Sequence, residues 1–250
     1  MSDMSGKEKT VYQIFQKIAG RYDRANERIS LGLQGRWKRL LTGKLIRNLP
    51  KGSKVLDVCC GTGDIALLLA RGRKDLTVTG IDFSPAMLSV AEQRRKDRRN
   101  IRFLRGNAMA LPFGDEVFDA VVISFGLRNT ADYTKTLCEM KRVVKKGGII
   151  ACLDSFVPGL KIVKPFYRFY FRDLVPFLGG GIRYRKEYRW LYRSTKEFLR
   201  REELEALFRT IGLTDVRAVS RMFGACSLVA GLKKTGRSHE EPVKSSKGGN

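Results

Sequence analysis

Two acids and a glycine turn carry the clearest chemistry in this 250-residue sequence. Val55, Leu56 and Val58 make a buried-strand signal broken only by Asp57, and Gly61-Thr62-Gly63-Asp64 follows closely. Ile65–Ala70 is rich in helix formers, so the stretch reads strand, glycine turn, helix. Gly61 and Gly63 let the backbone pass close to a ligand, and the helix start offers free N–H groups to polar ligand atoms. A second acid, Asp82, ends the next strand-like run, where a carboxylate can accept from both hydroxyls of a ribose. Asp57 suits a cationic end of the same ligand. A dinucleotide fingerprint would need a third glycine where Ala66 stands, and no Gly-Lys-Ser/Thr follows as in a P-loop. A plain α/β turn uses the same glycines; the two acids at strand ends favour a ligand.

The elements that must position these residues are legible. Strands at about 54–58, 77–82, 101–105, 118–124 and 148–154 alternate with helices after Asp64, Ser84 and Asp132. Ser84-Pro85 is a helix entry, and Gly147-Gly148 is expected to stop the helix that carries Met140 and Val143. Such alternation predicts a parallel α/β sheet covered on both faces, with ligands at the carboxyl ends of the strands. Asp57, Asp82, Asn107, Ser124 and Asp154 then share one rim. Residues 1–10 are polar and expected to be disordered, and 233–250 is expected to be a disordered tail. One domain is expected over 11–232. It comprises N-terminal helices (11–52), the ligand-binding core (53–154), an aromatic and basic insertion (155–200), and a last helix with two strands (201–232).

The formal charge of +24 calls for an anionic partner, nucleic acid or an anionic membrane surface. No apolar run is long enough for a membrane span, and the N-terminus carries no apolar signal core. The five cysteines have no metal-ligand spacing, and buried reduced thiols of a cytoplasmic protein are the expected state. A single histidine, His239, in a polar stretch argues against a His-based triad or metal site.

The acid, Gly-x-Gly, acid pattern resembles class I S-adenosylmethionine-dependent methyltransferases. Longer phrases narrow the resemblance: Tyr22-Asp23-x-x-Asn26, Asn107-Ala108-Met109-x-Leu111-Pro112-Phe113, Ser124-Phe125-Gly126-Leu127-Arg128-Asn129, and Glu187-Tyr188-x-Trp190-Leu191-x-x-Ser194-Thr195. In order and spacing they resemble the C-methyltransferases of menaquinone and ubiquinone biosynthesis, over about 11–233. The resemblance implies a Rossmann-like, seven-stranded, mostly parallel sheet whose last strand is antiparallel, with an N-terminal helical lid and a helical insertion before the last strands. It implies S-adenosylmethionine as cofactor and methylation of a ring carbon of a polyprenylated quinol, demethylmenaquinol first among them. It implies Asp57, Gly61, Thr62, Gly63, Asp82, Phe83, Asn107, Ala108 and Ser124 around the cofactor, and Tyr22, Asn26, Asn129 and Tyr188 toward the substrate. The sequence departs from the pattern at Val229, where many members carry His, at Asp154-Ser155-Phe156, where many have Glu-Phe-Ser, and at Cys59-Cys60, where small residues are common.

A ring carbon becomes nucleophilic when the neighbouring phenol loses its proton, so the site must favour an anion near neutral pH. Arg128 is the candidate to stabilise that anion, or else it forms a structural salt bridge. Asp154 is a candidate general base, or else a turn acid. Tyr22, Asp23 and Asn26 close over the cofactor as a lid, or only cap a helix. The aromatic rings of the insertion are core, a tunnel for an isoprenoid chain opening at an anionic membrane surface, or a base-stacking surface. Two functions stay open: a C-methyltransferase working peripherally at the inner membrane face, as a monomer or an oligomer, and a basic nucleic-acid- or membrane-binding protein that keeps the fold, RNA methylation included.

Overall fold

The computed structural model describes residues 5–160, 162–170, 175 and 185–235, with the side chains of Lys164, Arg168, Arg185 and Tyr188 outside that description. The Gly179-Gly180-Gly181 break and Arg172 of the insertion, and the tail from 236 on, lie outside it too.

The chain opens with α1 (Gly6–Ile18), a 3-10 turn at Ala19–Arg21, α2 (Tyr22–Ile29) and α3 (Leu33–Asn48). The expectation of disorder is therefore corrected for residues 5–10; residues 1–4 lie outside the described residues. Ser5 Oγ accepts from the Glu8 amide while Glu8 accepts from the Ser5 amide at 2.8 Å, and this reciprocal cap starts the helix five residues before Val11.

Then β1 (Lys54–Val58), α4 (Asp64–Gly72), β2 (Thr77–Asp82), α5 (Pro85–Arg95), β3 (Ile101–Arg105), β4 (Phe118–Ser124), α6 (Tyr133–Val143) and β5 (Val144–Ser155) alternate as the sequence predicts. One boundary differs. Helix α6 ends at Val143 and β5 starts at the next residue, so Gly147-Gly148 does not stop the helix. The glycines sit where the β4–β5 register jumps from Phe118–Val144 to Ala120–Ile149, with Gly147 at φ 73. A Cβ on Gly148 would stand 2.9 Å from the Asp119 carbonyl, so the pair serves a bulge.

Beyond β5 come α7 (Lys164–Phe169), α8 (Arg185–Glu197), α9 (Arg201–Thr210), β6 (Leu213–Arg221) and β7 (Cys226–Lys233). The seven strands run in the order β3-β2-β1-β4-β5-β7-β6, with β1 to β5 parallel and β7 antiparallel to both neighbours. Side chains alternate across the sheet. On one face Val55, Val78 and Val122 meet Leu41 and Leu45 of α3 and Leu69 of α4. On the other, Leu56, Val121 and Ile123 meet Leu137 and Met140 of α6 and Leu204 and Phe208 of α9. Burial on both faces explains why β1 and β4 read as nearly continuous apolar runs. The parallel register brings the carboxyl ends of β1, β2, β4 and β5 to one rim.

Candidate active site

Asp82, at the end of β2, accepts from the Gly61 amide at 2.8 Å and the Ser84 amide at 2.9 Å. Burial pushes its carboxyl up to about 6, held back in part by those amides. Asp57 on β1 is buried, accepts from the Ala66 amide at 3.1 Å, and is pushed up to about 8 by burial. Ser124 closes β4 with its Oγ buried and without a hydrogen-bond partner. A cavity runs along this rim between Asp82, Phe83, Asn107, Ala108, Gly61 and Ser124. It continues past Cys59 and Thr62 to Asp57. A Cβ on Gly61, at φ 55, would meet no atom within 4 Å. A carboxylate that lacks a cationic partner, an open glycine and an orphaned hydroxyl fit a nucleoside with an amino-acid tail, so S-adenosylmethionine suits the residues present.

Eight of the nine sequence-predicted cofactor residues line that cavity or its extension. Gly63 does not. It faces the core, where a Cβ would lie 2.7 Å from the Phe103 ring, and it needs φ 81 to open α4. Its lack of a Cβ is a packing requirement. Thr62 turns its hydroxyl outward, donating to Asp23 at 2.7 Å.

That bond belongs to a closed lid. Arg94 on α5 ties Asp23 of α2 at 2.8 Å and Asp64 of α4 at 2.6 Å, while Lys38 of α3 reaches Asp64 at 2.6 Å. Burial would raise the Asp64 carboxyl, but Lys38 and Arg94 outweigh it and hold it below its ordinary value. Gln16 of α1 accepts from the Ser84 hydroxyl and the Ala86 amide, and Tyr12 meets the Phe83 ring edge-on. The N-terminal helices thus cover the first cavity, with Glu8, Val11, Phe15 and Tyr22 on its wall. Sequence reasoning missed Lys38, Asp64 and Arg94; a cation three helices away from its acid leaves no local signal.

A second cavity of about 470 Å³ opens on the other side of Phe125, lined by Ile29, Leu33, Trp37, Tyr170 and Leu191. Phe125 lines both cavities, at φ 56, so it forms the wall between them. The Arg128 guanidinium carbon lies 5.8 Å from its ring centroid and the Lys38 ammonium 5.9 Å. Arg128 is the one charged side chain of this second wall among the described residues. Arg128 is only 3% exposed and forms an ion pair with Asp154, which is 0% exposed. Burial alone would lower the Arg128 pKa; Asp154 outweighs it and raises it, so the guanidinium stays charged. Its Nε is buried with no protein partner.

The two candidate catalytic residues are thus bound to each other. Asp154 also accepts from the Ser155 amide at 2.8 Å and lines neither cavity, which removes the geometry expected of a general base. Its role is to hold and orient Arg128. The substrate candidates divide. Asn26 lines the second cavity with its Nδ2 buried, short of a well-formed hydrogen bond but within reach of the Tyr22 phenol. Asn129 lines the first cavity instead, because its Oδ1 accepts from the Trp190 indole at 3.1 Å. Tyr22 sits at the cofactor side, and burial pushes its phenol up to about 12. Tyr188 falls on α8, with its side chain outside the described residues. Burial also raises the Cys59 and Cys60 thiols well above their ordinary value, so neither is a thiolate nucleophile.

Comparison with known proteins agrees with this geometry. In solved structures, a chain from Thermotoga maritima described as an S-adenosylmethionine-dependent methyltransferase superposes with a TM-score of 0.62 at 22% identity, covering 89% of this chain and 100% of its own. Phosphoethanolamine N-methyltransferase 2 of Haemonchus contortus, solved with S-adenosylhomocysteine, gives 0.61 at 16% identity over 79% of this chain and 52% of that one. These show the fold. The demethylmenaquinone methyltransferase of Staphylococcus saprophyticus is 41% identical over 93% of this chain and 100% of its own length. That of Geobacillus stearothermophilus is 42% identical over 91% and 98%. With residues 3–233 matching its pattern as well, the chain belongs to the ubiE/COQ5 methyltransferase family.

Proposed function

We propose that this S-adenosylmethionine-dependent methyltransferase methylates a ring carbon of a polyprenylated quinol, demethylmenaquinol in the first place. The observation that carries the reading is Arg128: a buried, permanently charged donor on the wall of an apolar cavity that meets the cofactor cavity at Phe125. The names of the relatives from Staphylococcus saprophyticus and Geobacillus stearothermophilus support it.

S-adenosylmethionine supplies a methyl group already activated on a sulfonium sulfur. The chain's own residues do the rest. Asp82 takes the ribose hydroxyls, Ser124 Oγ finds its missing partner on the ligand, and Asp57 meets the amino-acid end. Ala108 and Phe83 flank the adenine. The lid excludes water, which strengthens every electrostatic interaction inside. Arg128 offers its Nε–H to a quinol oxygen, favouring the phenolate left when the phenol proton passes to water before the lid closes; once the ortho carbon has taken the methyl group from the sulfonium, that carbon's proton is lost to water and the ring is aromatic again. Asp154 keeps Arg128 charged and aimed. Asn26 donates from Nδ2 to the second ring oxygen. Residues from the 155–200 insertion form the isoprenoid side of the cavity. With no helix among the described residues able to cross a membrane, the greasy substrate is met peripherally at an anionic membrane surface on the cytoplasmic side, through the excess positive charge.

The deciding experiment supplies S-adenosylmethionine with a labelled methyl group and offers demethylmenaquinol, a ubiquinol precursor and total RNA in separate reactions. Label on the menaquinol ring carbon is the expected result. Label in RNA alone, or on an oxygen of the quinol, ends the proposal.

A further inference from the structure

Among the described residues, every exposed large apolar side chain comes from position 31, the segment 157–169 or the pair 222–223. Leu31 (74% exposed), Phe166 (75%), Phe169, Met222 and Phe223 line the mouth of the second cavity, and Leu160 and Ile162 (78%) stand on the connection beside it. Three of them, Leu31, Met222 and Phe223, hold φ of 50, 50 and 54. That left-handed conformation is costly for a residue with a side chain. The turns that hold these three residues keep apolar side chains in water at a backbone cost.

In sequence, cations outnumber acids in the segments that carry this mouth, although Glu27, beside Arg28, is an exposed acid there. No acid falls between Asp154 and Asp173, while Lys161, Lys164 and Arg168 alternate with the apolar residues there. No acid falls between Asp215 and Glu240. Arg28 and Arg221, next to the rim, are exposed. Apolar tips interleaved with cations suit acyl chains beneath anionic headgroups, since long basic side chains reach back to the headgroup level. An apolar patch of this kind on a monomer marks an interaction site.

We propose that this rim is a bilayer-insertion site: the apolar tips enter the acyl region, the surrounding lysines and arginines hold anionic headgroups, and the cavity mouth opens directly into lipid. The proposal rests on the quinol reading for the reason the mouth should face lipid, but its test is independent of turnover.

In the full chain, Phe223→Trp places a reporter at one tip, read as the difference from the wild type, whose Trp37 and Trp190 give the baseline emission. With vesicles of phosphatidylglycerol and phosphatidylethanolamine, its emission should shift to the blue, and acyl-brominated lipid should quench it. The pair Leu160→Ser and Ile162→Ser, outside the cavity wall, should weaken vesicle partitioning by about tenfold for each residue. It should leave S-adenosylmethionine affinity and methylation of a short-chain, water-soluble quinol unchanged, while methylation of vesicle-borne long-chain quinol falls. Vesicle binding with no blue shift and no quenching would mean a purely electrostatic contact and overturns the insertion site. Self-association of the wild type that the serine pair abolishes, with vesicle binding unaltered, assigns the rim to a second copy and overturns it too. Insertion without any quinol methylation upholds the rim and refutes the quinol reading instead.

Discussion

Asp82 and Asp154 end strands of the same sheet, on the same rim, and both are buried. They are satisfied in opposite ways. Asp82 has only backbone amides, from Gly61 and Ser84, and no cation in contact. Its carboxyl is pushed up to about 6, and it keeps acceptor capacity for ligand hydroxyls. Asp154 is bound to Arg128 and the Ser155 amide and presents nothing to either cavity. A carboxylate left short of partners is built to receive a ligand; one fully partnered is built to hold something else still. On the proposed assignment, the cofactor side works by the first device and the substrate side by the second.

The largest effect expected from breaking this contrast is at Arg128. Arg128→Ala leaves Asp154 buried and unpaired, so it should lose about 3–5 kcal/mol of stability as well as turnover. The double variant Arg128→Met, Asp154→Leu replaces the pair by apolar volume and should regain most of that stability. Its turnover should stay at least about a hundredfold down, as for loss of a donor to a developing anion. Denaturant unfolding and quinol turnover on the two variants separate the roles. A double variant with restored turnover would make the pair purely structural.

Asp82→Asn comes next. It removes charge-assisted bonds worth about 1.5–3 kcal/mol, or about 10- to 100-fold in S-adenosylmethionine affinity by calorimetry, with the Arg128 side unaffected. The pH dependence has a definite sign. The folded-state pKa is raised, so the folded protein binds more protons than the unfolded chain between the ordinary value and about 6. Stability of the cofactor-free protein from this group therefore falls as pH rises through that window. Cofactor affinity should run the other way, weakening as pH drops below about 6 and Asp82 becomes neutral. A flat affinity profile from pH 5 to 8, or normal binding by Asp82→Asn, removes Asp82 from the ribose site.

The two glycines of the turn sharpen the same contrast at smaller scale. Gly63→Ala meets the Phe103 ring and should cost about 1–3 kcal/mol in stability. Gly61→Ala meets open cavity, so beyond its backbone cost it should chiefly weaken cofactor binding. Thermal melts with and without S-adenosylmethionine distinguish them. An equal cofactor-induced shift in both variants would show that Gly61 does not border the ligand.

What the sequence discloses about these two sides also differs, for a physical reason. Strand β1, the turn, Asp82 and Ser124 are local patterns, because a glycine turn and an acid at a strand end are set by neighbouring residues. The Arg128–Asp154 pair joins residues 26 positions apart through sheet topology, and Arg94 joins two acids from different helices. No local spacing encodes either, which is why Asp154 reads as a possible base until the sheet is closed. Phe125 sits inside a phrase that identifies the family, yet its place as the wall between the cavities follows from a backbone turn at φ 56 that a phenylalanine does not advertise. The start of α1 is encoded locally too: Ser5-x-x-Glu8 is a capping-box spacing, masked by the polarity of the residues before Val11.

The smallest expected effect concerns the lid. Arg94 and Asp23 are each 35% exposed, so their attraction is screened and worth about 1 kcal/mol or less. Arg94→Met should nevertheless show, because it frees α2 from both Asp64 and the Thr62 carbonyl while leaving the Thr62–Asp23 bond in place. A latch acts on escape more than on entry, so stopped-flow measurements should give S-adenosylmethionine release about fivefold faster with little change in association. High salt should bring wild-type release toward the variant's rate and leave the variant nearly unmoved. Acid should act similarly: burial, with Asp64 nearby, raises the Asp23 carboxyl, so Asp23 loses its charge earlier than an ordinary aspartate as pH falls, and the latch loosens. Arg128 and Asp154 take no part in this, so turnover on saturating cofactor should hold. Release unchanged in Arg94→Met would mean that packing of Phe15 and Tyr22 against Met87, not the ion pairs, keeps the lid shut.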